Sequence, residues 1–322
     1  MKALILAAGL GSRLRPLTDR LPKPLCLFYG QALLDLVYKQ IRSLELKHIA
    51  INTHHLAPLI EQHIQAQKSV YTCMPRLSYE PEILGTGGVI NPLRSWLGED
   101  PLLIYNSDII ADVDLPALIE QHKAHGADAT MVLLDRHKPG TTPIRTQDHS
   151  ILAIGDQSIQ EQSDFSEFTF SGIHIIGPRL YQSIPMTGFQ NIIASYQSLL
   201  TAGAKVQAFF HSGFWEDLGT PHDYFAAHQT LFIHPDRQAL CLRIGLDPTS
   251  IFWDDAQSSA LCGFTNWGKA SLSQSFIMGP SSGAVTIQNS LVYPGVEFLS
   301  DQVISQSLVM PGLIMSLTHG EN

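Results

Sequence analysis

Between Met1 and Leu231, short apolar runs alternate with stretches whose apolar positions fall three and four residues apart. The run Ala3-Leu4-Ile5-Leu6-Ala7 is apolar on both faces and too short for a helix, the pattern of a buried parallel strand. Leu33, Leu34, Val37, Ile41 and Leu44 recur at helical spacing and predict a core-facing helix over 31–46. A strand over 49–52 follows, then a helix over 57–67 with Leu59, Ile60 and Ile64 inward. Further strands are expected at 77–78, 102–108, 130–134, 151–154, 168–176 and 205–210, and further helices at 89–96, 115–125, 190–201 and 222–231. Residues 135–165 are otherwise polar, rich in Gln, Asp and Ser, and carry little signal. Such alternation predicts an α/β fold, a Rossmann-like doubly wound mixed sheet with helices on both faces. Ligands of these sheets sit outside the carboxyl ends of the strands.

From about Phe232 the helical periodicity fades. Ser275-Phe276-Ile277-Met278-Gly279-Pro280, Ser290-Leu291-Val292-Tyr293-Pro294-Gly295 and Ser307-Leu308-Val309-Met310-Pro311-Gly312 form an internal repeat whose starts lie 15 and 17 residues apart. This spacing is close to a coil of a left-handed β-helix built from hexapeptides, in which each coil stacks an apolar edge it cannot bury alone. Two domains are therefore expected, over 1–231 and 232–322.

Composition narrows the picture. With 322 residues, 44% hydrophobic and 15% charged, the chain can bury a substantial core. A formal charge of −9 argues against a nucleic-acid surface, because backbone binding needs a basic patch. Cys26, Cys73, Cys241 and Cys262 lie far apart with no CxxC pair, which favours buried free thiols over a disulfide framework or a thiolate zinc site. The first residues enter a strand with no signal-peptide pattern, and no apolar run is long enough to span a bilayer. A cytoplasmic protein without membrane contact is the expectation.

The candidate chemistry begins where the first strand ends. Leu6 leads into Ala8-Gly9-Leu10-Gly11-Ser12-Arg13, where glycines let backbone N–H groups approach a ligand and Arg13, with Lys23 further on, adds cationic charge. Together they form a cradle for polyanionic phosphate. The dinucleotide fingerprint is not met, since Leu14 stands at the third glycine position and Thr53-His54-His55 offer no ribose-binding acid. The P-loop pattern is absent as well. Gly85, Thr86, Gly87 and Gly88, after Glu80, bring backbone close to a ligand a second time. Asn106-Ser107-Asp108 ends a buried strand at the ligand edge, where Asp108 is placed to hold a hard cation such as Mg²⁺. Asp112 and Asp114 read as turn and N-cap residues. His54, His55, His122 and His125 lack a completing ligand set and are expected to be solvated, and His174 is expected to face outward from its strand. Trp215-Glu216-Asp217-Leu218-Gly219-Thr220-Pro221 fixes an aspartate between an aromatic anchor and a glycine turn, with Pro221 opening the next helix.

Gly9-Leu10-Gly11-Ser12-Arg13-Leu14-Arg15-Pro16-Leu17-Thr18, followed by Leu21-Pro22-Lys23-Pro24-Leu25, resembles the signature of the sugar-1-phosphate nucleotidyltransferases. The Gly85–Gly88 segment, Asn106–Asp108, Phe170-Ser171-Gly172-Ile173 and Trp215–Pro221 are similar to further motifs of that family, in the same order. The resemblance implies a GT-A-like catalytic domain whose substrates are a nucleoside triphosphate and a sugar 1-phosphate. It implies nucleotide contacts at Leu6, Ala8, Gly9, Gly11, Ser12, Gly85, Thr86, Gly87 and Gly88, and sugar contacts at Asn106, Ser171 and Gly172. Arg13, Lys23 and Asp108 would be catalytic, with Mg²⁺ held by Asp108 and Asp217. The Glu-Lys-Pro triplet of many relatives is absent, because Gly155-Asp156-Gln157-Ser158 offers no lysine. The branches that resemble this chain transfer guanylyl to mannose 1-phosphate or uridylyl to N-acetylmuramate 1-phosphate, with a slight lean to the first. A non-catalytic subunit that binds nucleotide-sugar is the rival from another class, although such relatives tend to lose the four charged residues kept here. The tail is similar to the β-helix appendage of several nucleotidyltransferases, which implies a structural role or a homo-oligomer contact, with regulation as the alternative.

Overall fold

A computed structural model of the chain describes residues 1–135, 141–157, 164–263, 271–279, 285–299 and 301–318. Contact density divides it into two compact units that do not follow a single cut in the sequence. One comprises Met1–Gly9, Ile41–Ile109 and Val113–Trp215; the other comprises Leu10–Gln40, Ile110–Asp112 and Glu216–Asn322. The glycine-rich loop is therefore divided, with Ala8 and Gly9 in the first unit and Leu10 onward in the same unit as the tail.

The first unit is built on nine strands: β1 (Lys2–Leu6), β2 (Ile49–Thr53), β3 (Arg76–Tyr79), β4 (Leu102–Asn106), β5 (Ala129–Leu134), β6 (Pro143–Gln147), β7 (Ser150–Ile154), β8 (Ser166–Ile176) and β9 (Val206–His211). Their order is β3-β2-β1-β4-β8-β5-β9-β7-β6, with β8 also pairing with β6. β1, β2, β3 and β4 run parallel, with Leu6 opposite both Asn52 and Asn106. β8 runs antiparallel to β4 and β5, so the sheet is mixed. The central strands are apolar on both faces because helices cover them, and one core joins Leu4, Ile104, Met131 and Ile176 to Tyr196 and Leu199 of helix Ile192–Thr201.

Several expectations need correction. The helix expected over 31–46 spans Leu33–Arg42, because Leu27–Phe28 and Gln31–Ala32 form a two-residue hairpin first. Tyr29 (φ 47°) and Gly30 (φ 80°) supply the positive dihedrals that such a turn requires. The helix expected over 89–96 is broken into Gly85–Gly88, a 3₁₀ turn at Asn91–Leu93 and Arg94–Leu97, since Pro92 removes a donor inside it. His174 does not face outward: it is buried and bonds Tyr196 Oη through Nδ1 at 2.6 Å. His122 is buried too, against Thr130 Oγ1 at 2.9 Å. Asp114 caps its helix by accepting from Ala117 N at 2.9 Å, whereas Asp112 pairs with Arg243 at 3.0 Å.

In the second unit, helix Pro221–Ile233 is followed by an unanticipated helix, Arg237–Arg243, and then by the repeats. Their strands pair in parallel: Ala260, Phe276, Leu291 and Leu308 stack in one ladder, and Leu272, Ile287 and Ile304 in a second sheet. Ile277, Val292, Val309 and Ile287 fill the space between. The serine that opens each repeat has a structural use, because Ser275 N donates to Ser259 Oγ, Ser290 N to Ser275 Oγ and Ser307 N to Ser290 Oγ. Pro280, which ends the first repeat, and Ser158 lie outside the described residues. None of the four cysteines is in a disulfide; Cys26, Cys241 and Cys262 are buried as expected, whereas Cys73 is half-buried, and burial pushes the Cys26 thiol up to about 12. Among the described residues no helix is long and apolar enough to cross a membrane.

Candidate active site

The parallel strands of the first unit place their carboxyl ends on one edge, and a chain of buried hydrogen bonds ties those ends together. The carbonyl of Leu6 accepts from Ser107 N at 3.0 Å and from Ser107 Oγ at 2.6 Å, which joins β1 to the turn that carries Asp108. On the other side Ala7 N donates to Asn52 Oδ1 at 2.7 Å, and Asn52 Nδ2 donates to Glu80 Oε1 at 2.7 Å. Glu80 Oε2 accepts from Leu84 N at 2.9 Å, which holds the entry to the glycine turn. Glu80 is only 1% exposed, so its charge is stabilised by these donors rather than by water. Its own carbonyl meets His54 Nδ1 at 2.8 Å, so this histidine is occupied by the protein backbone. Asn52 has no motif signal; the one hint is a polar residue closing an apolar strand.

The glycine turn has a second reason for its composition. Gly85 (φ 77°) has no room for a side chain, since a Cβ there would fall 2.6 Å from the Gln190 carbonyl. Gly87 N donates to that same carbonyl at 2.9 Å, Gln190 N to Leu84 O at 2.8 Å, and Ile192 N to Thr86 Oγ1 at 3.1 Å. The close approach read from the sequence as room for a ligand is thus partly approach to the protein's own 189–192 segment. Asn106 lies beside Gly172, where a Cβ would fall 2.7 Å from Asn106 Nδ2. Ser171 is buried, with its Oγ accepting from Ile173 N at 3.2 Å and its carbonyl from Trp215 Nε1 at 2.9 Å. The Trp215 anchor therefore fixes the Ser171-Gly172 segment, where the pairing of β8 with β5 shifts register between Phe170 and His174.

In the second unit the loop after Gly9 folds into three single 3₁₀ turns, Ser12–Leu14, Leu17–Asp19 and Lys23–Leu25. Thr18, fully buried, donates from Oγ1 to the Gly11 carbonyl at 2.8 Å. A Cβ at Gly11 would fall 2.8 Å from Thr18 Cγ2 and 3.2 Å from Lys23 Cβ, so the bare glycine lets the three turns close on one another. Lys23 is 8% exposed, and its Nζ stands 3.8 Å from Asp217 Oδ1. The Arg13 guanidinium lies over Gly219, with Nη2 2.7 Å from where a Cβ would be. Two cations of the loop and the Asp217-Leu218-Gly219 turn, far apart in sequence, thus meet within one compact unit. Asp108, Gly9, Ala8 and Leu6 fall in the first unit, together with Asn106, Gly172 and the Gly85–Gly88 turn.

Comparison with known proteins finds similarity in sequence and in fold. Residues 2–142 match the sequence model described as "Nucleotidyl transferase". The chain is 27% identical over 250 residues to the zebrafish (Danio rerio) "Mannose-1-phosphate guanylyltransferase catalytic subunit beta", covering 77% of this chain and 69% of that protein. It is 28% identical over 227 residues to an Aspergillus fumigatus "Mannose-1-phosphate guanyltransferase", covering 70% of this chain and 62% of that one. Among solved structures, its fold is shared by a putative glucose-1-phosphate thymidylyltransferase from Bacillus anthracis (TM-score 0.60, 20% identity, 71% of this chain and 94% of that chain). It is shared also by the inositol-1-phosphate CTP transferase of T. maritima (TM-score 0.59, 15% identity, 76% of this chain and 95% of that chain). The similarity to the nucleotidyl transferase family thus spans residues 2–142, a little under half of the chain.

Proposed function

We propose that this chain transfers a nucleotidyl group from a nucleoside triphosphate to a sugar 1-phosphate, releasing pyrophosphate, with GTP and mannose 1-phosphate as its preferred pair. The observation that carries the reaction class is the meeting of Arg13 and Lys23 at the Asp217–Gly219 turn. The names of the zebrafish and Aspergillus relatives support the substrate pair. A sugar-phosphate oxygen attacks the α-phosphorus in line as the bond to pyrophosphate breaks. Little covalent work falls to the protein, so positioning and neutralisation of charge dominate. Arg13 holds the leaving pyrophosphate and Lys23 the phosphates at the reacting centre. The backbone at Leu6, Ala8, Gly9, Gly11 and Ser12 cradles the triphosphate, Gly85–Gly88 borders base and ribose, and Asn106, Ser171 and Gly172 serve the sugar.

Asp108 and Asp217 are proposed as carboxylate ligands of magnesium, which when bound offsets the negative charge growing on the phosphates. The donor chemistry fits. Carboxylate oxygens are hard ligands, the kind this cation takes. Magnesium suits such a site because it takes one or two carboxylates and completes its octahedron with phosphate and water. The tail is read as a short left-handed β-helix, a reading supported by its two parallel ladders.

The test is a screen of the four nucleoside triphosphates against sugar 1-phosphates, with pyrophosphate release as the signal. Release with GTP and mannose 1-phosphate above all other pairs is the expected result. Preference for UTP with N-acetylmuramate 1-phosphate would overturn the substrate assignment and keep the reaction. No release with any pair would refute nucleotidyl transfer and leave a nucleotide-sugar-binding subunit.

A further inference from the structure

Within the second unit, the segment that carries Lys23 is held by the repeat tail at three places. Arg20, upstream of Lys23, donates from Nη1 to the carbonyls of Gly312 at 2.9 Å and Pro311 at 3.4 Å. Leu27, downstream of it, has both backbone groups engaged: its N–H donates to Tyr293 Oη at 3.2 Å, its carbonyl accepts from Tyr224 Oη, and the two hydroxyls lie 2.8 Å apart. Beyond Leu27 the hairpin tip is embedded as well. The Tyr29 ring packs 5.3 Å from Trp253 and 5.6 Å from Phe276, and a Cβ at Gly30 would fall 2.9 Å from Cys262 Cβ.

Tyr293 and Gly312 are repeat residues, so the coils themselves make these contacts. Tyr224 and Tyr293 are buried, where a hydroxyl pair is favourable only if every partner stays in register. Leu27 is coupled tightly to Lys23, because the intervening 3₁₀ turn closes through Cys26 N to Lys23 O at 2.9 Å. A shift of Leu27 is therefore passed to the lysine rather than absorbed by slack chain.

We propose that the repeat tail is a positioning element for Lys23, with Tyr293 and Tyr224 fixing one flank of its turn and Gly312, through Arg20, fixing the other. This rests on the reading of Lys23 as the phosphate ligand. Tails of this kind then do more than assemble or shield: removing one hydroxyl there loosens a group that touches substrate.

The experiment uses the full chain with Tyr293→Phe, Arg20→Ala and Arg20→Lys. Tyr293→Phe keeps the ring packing and should lower kcat about tenfold while KM stays nearly constant, since small misplacement of a reacting group is costly. Arg20→Ala should act in the same direction, and Arg20→Lys, which keeps a cationic donor for the Gly312 carbonyl, should restore most of the loss. Amide hydrogen exchange over 20–28 should rise in both deleterious variants and stay unchanged elsewhere. Tyr181→Phe, which removes a hydroxyl donating to Gly98 O at 2.8 Å in the other unit, is the matched control and should keep kcat. Unchanged kcat in Tyr293→Phe and Arg20→Ala, or exchange that rises across the whole chain, would overturn the proposal. The exchange measurement needs no substrate, so it still decides whether the tail fixes this segment if the wild-type chain proves to release no pyrophosphate.

Discussion

Lys23 Nζ stands 3.8 Å from Asp217 Oδ1, with both side chains largely sheltered from water. That separation exceeds a normal hydrogen bond, so the attraction between these two atoms is coulombic. Lys23→Ala and Asp217→Asn are each expected to lower turnover on the order of 10²-fold or more, the scale of a lost charge contact in a transition state. Thermal unfolding should change little. Pyrophosphate release is the measurement, and near wild-type turnover in either variant refutes the assignment.

Gly219 offers a test that removes no charge. A Cβ there meets the far end of the Arg13 side chain, which is exposed and flexible, so Arg13 gives way instead of the backbone. Gly219→Ala should therefore cost about tenfold or more in kcat/KM through a displaced guanidinium while leaving Tm nearly unchanged. A drop in Tm as large as the loss of activity would point to a structural glycine.

Glu80 accepts from Asn52 and from Leu84 N in a buried setting, so Glu80→Ala leaves both donors without an acceptor there. Each costs about 1–3 kcal/mol when stranded, which should be seen directly in chemical denaturation. Because Leu84 opens the Gly85–Gly88 turn, the same variant should raise KM for the triphosphate more than it lowers kcat. Glu80→Gln keeps the shape and one acceptor oxygen and should be milder on both counts. An unchanged KM in the alanine variant would separate this network from nucleotide binding.

His174 and His228 set an acid limit on stability. Burial depresses both from 6.5 to about 3, so the folded state holds them neutral while the unfolded chain protonates them below pH 6.5. Their contribution is complete above pH 6.5 and is lost as pH falls towards about 3, at a slope approaching roughly 1.4 kcal/mol per pH unit for each group. Denaturant midpoints between pH 7 and pH 4 should fall along this slope, and His174→Gln should flatten it. An unchanged slope in that variant would show that His174 is not among the titrating groups.

How much of this was legible beforehand depends on how local the cause is. Strand and helix alternation, the parallel edge, the Asp114 cap and the repeat ladders follow from periodicity and from side chains that act on their own neighbours, so composition and spacing suffice. The effects of proline and glycine placement are less legible. Pro92 and the Tyr29-Gly30 turn changed two helices because a missing donor or a positive φ overrides an apolar pattern.

The sequence by itself determined which residues carry charge beside glycine turns, and therefore which chemistry is available to the chain. Only the tertiary structure decided that Asn52 and Glu80 brace that edge, that His174 and His122 turn inward, and that Tyr293 of the tail grips the backbone beyond Lys23. Each of these is a contact between segments distant in the chain, and no pattern of local spacing records where two such segments cross. Burial then fixes the outcome, because a polar group removed from water persists only where the fold supplies its partner.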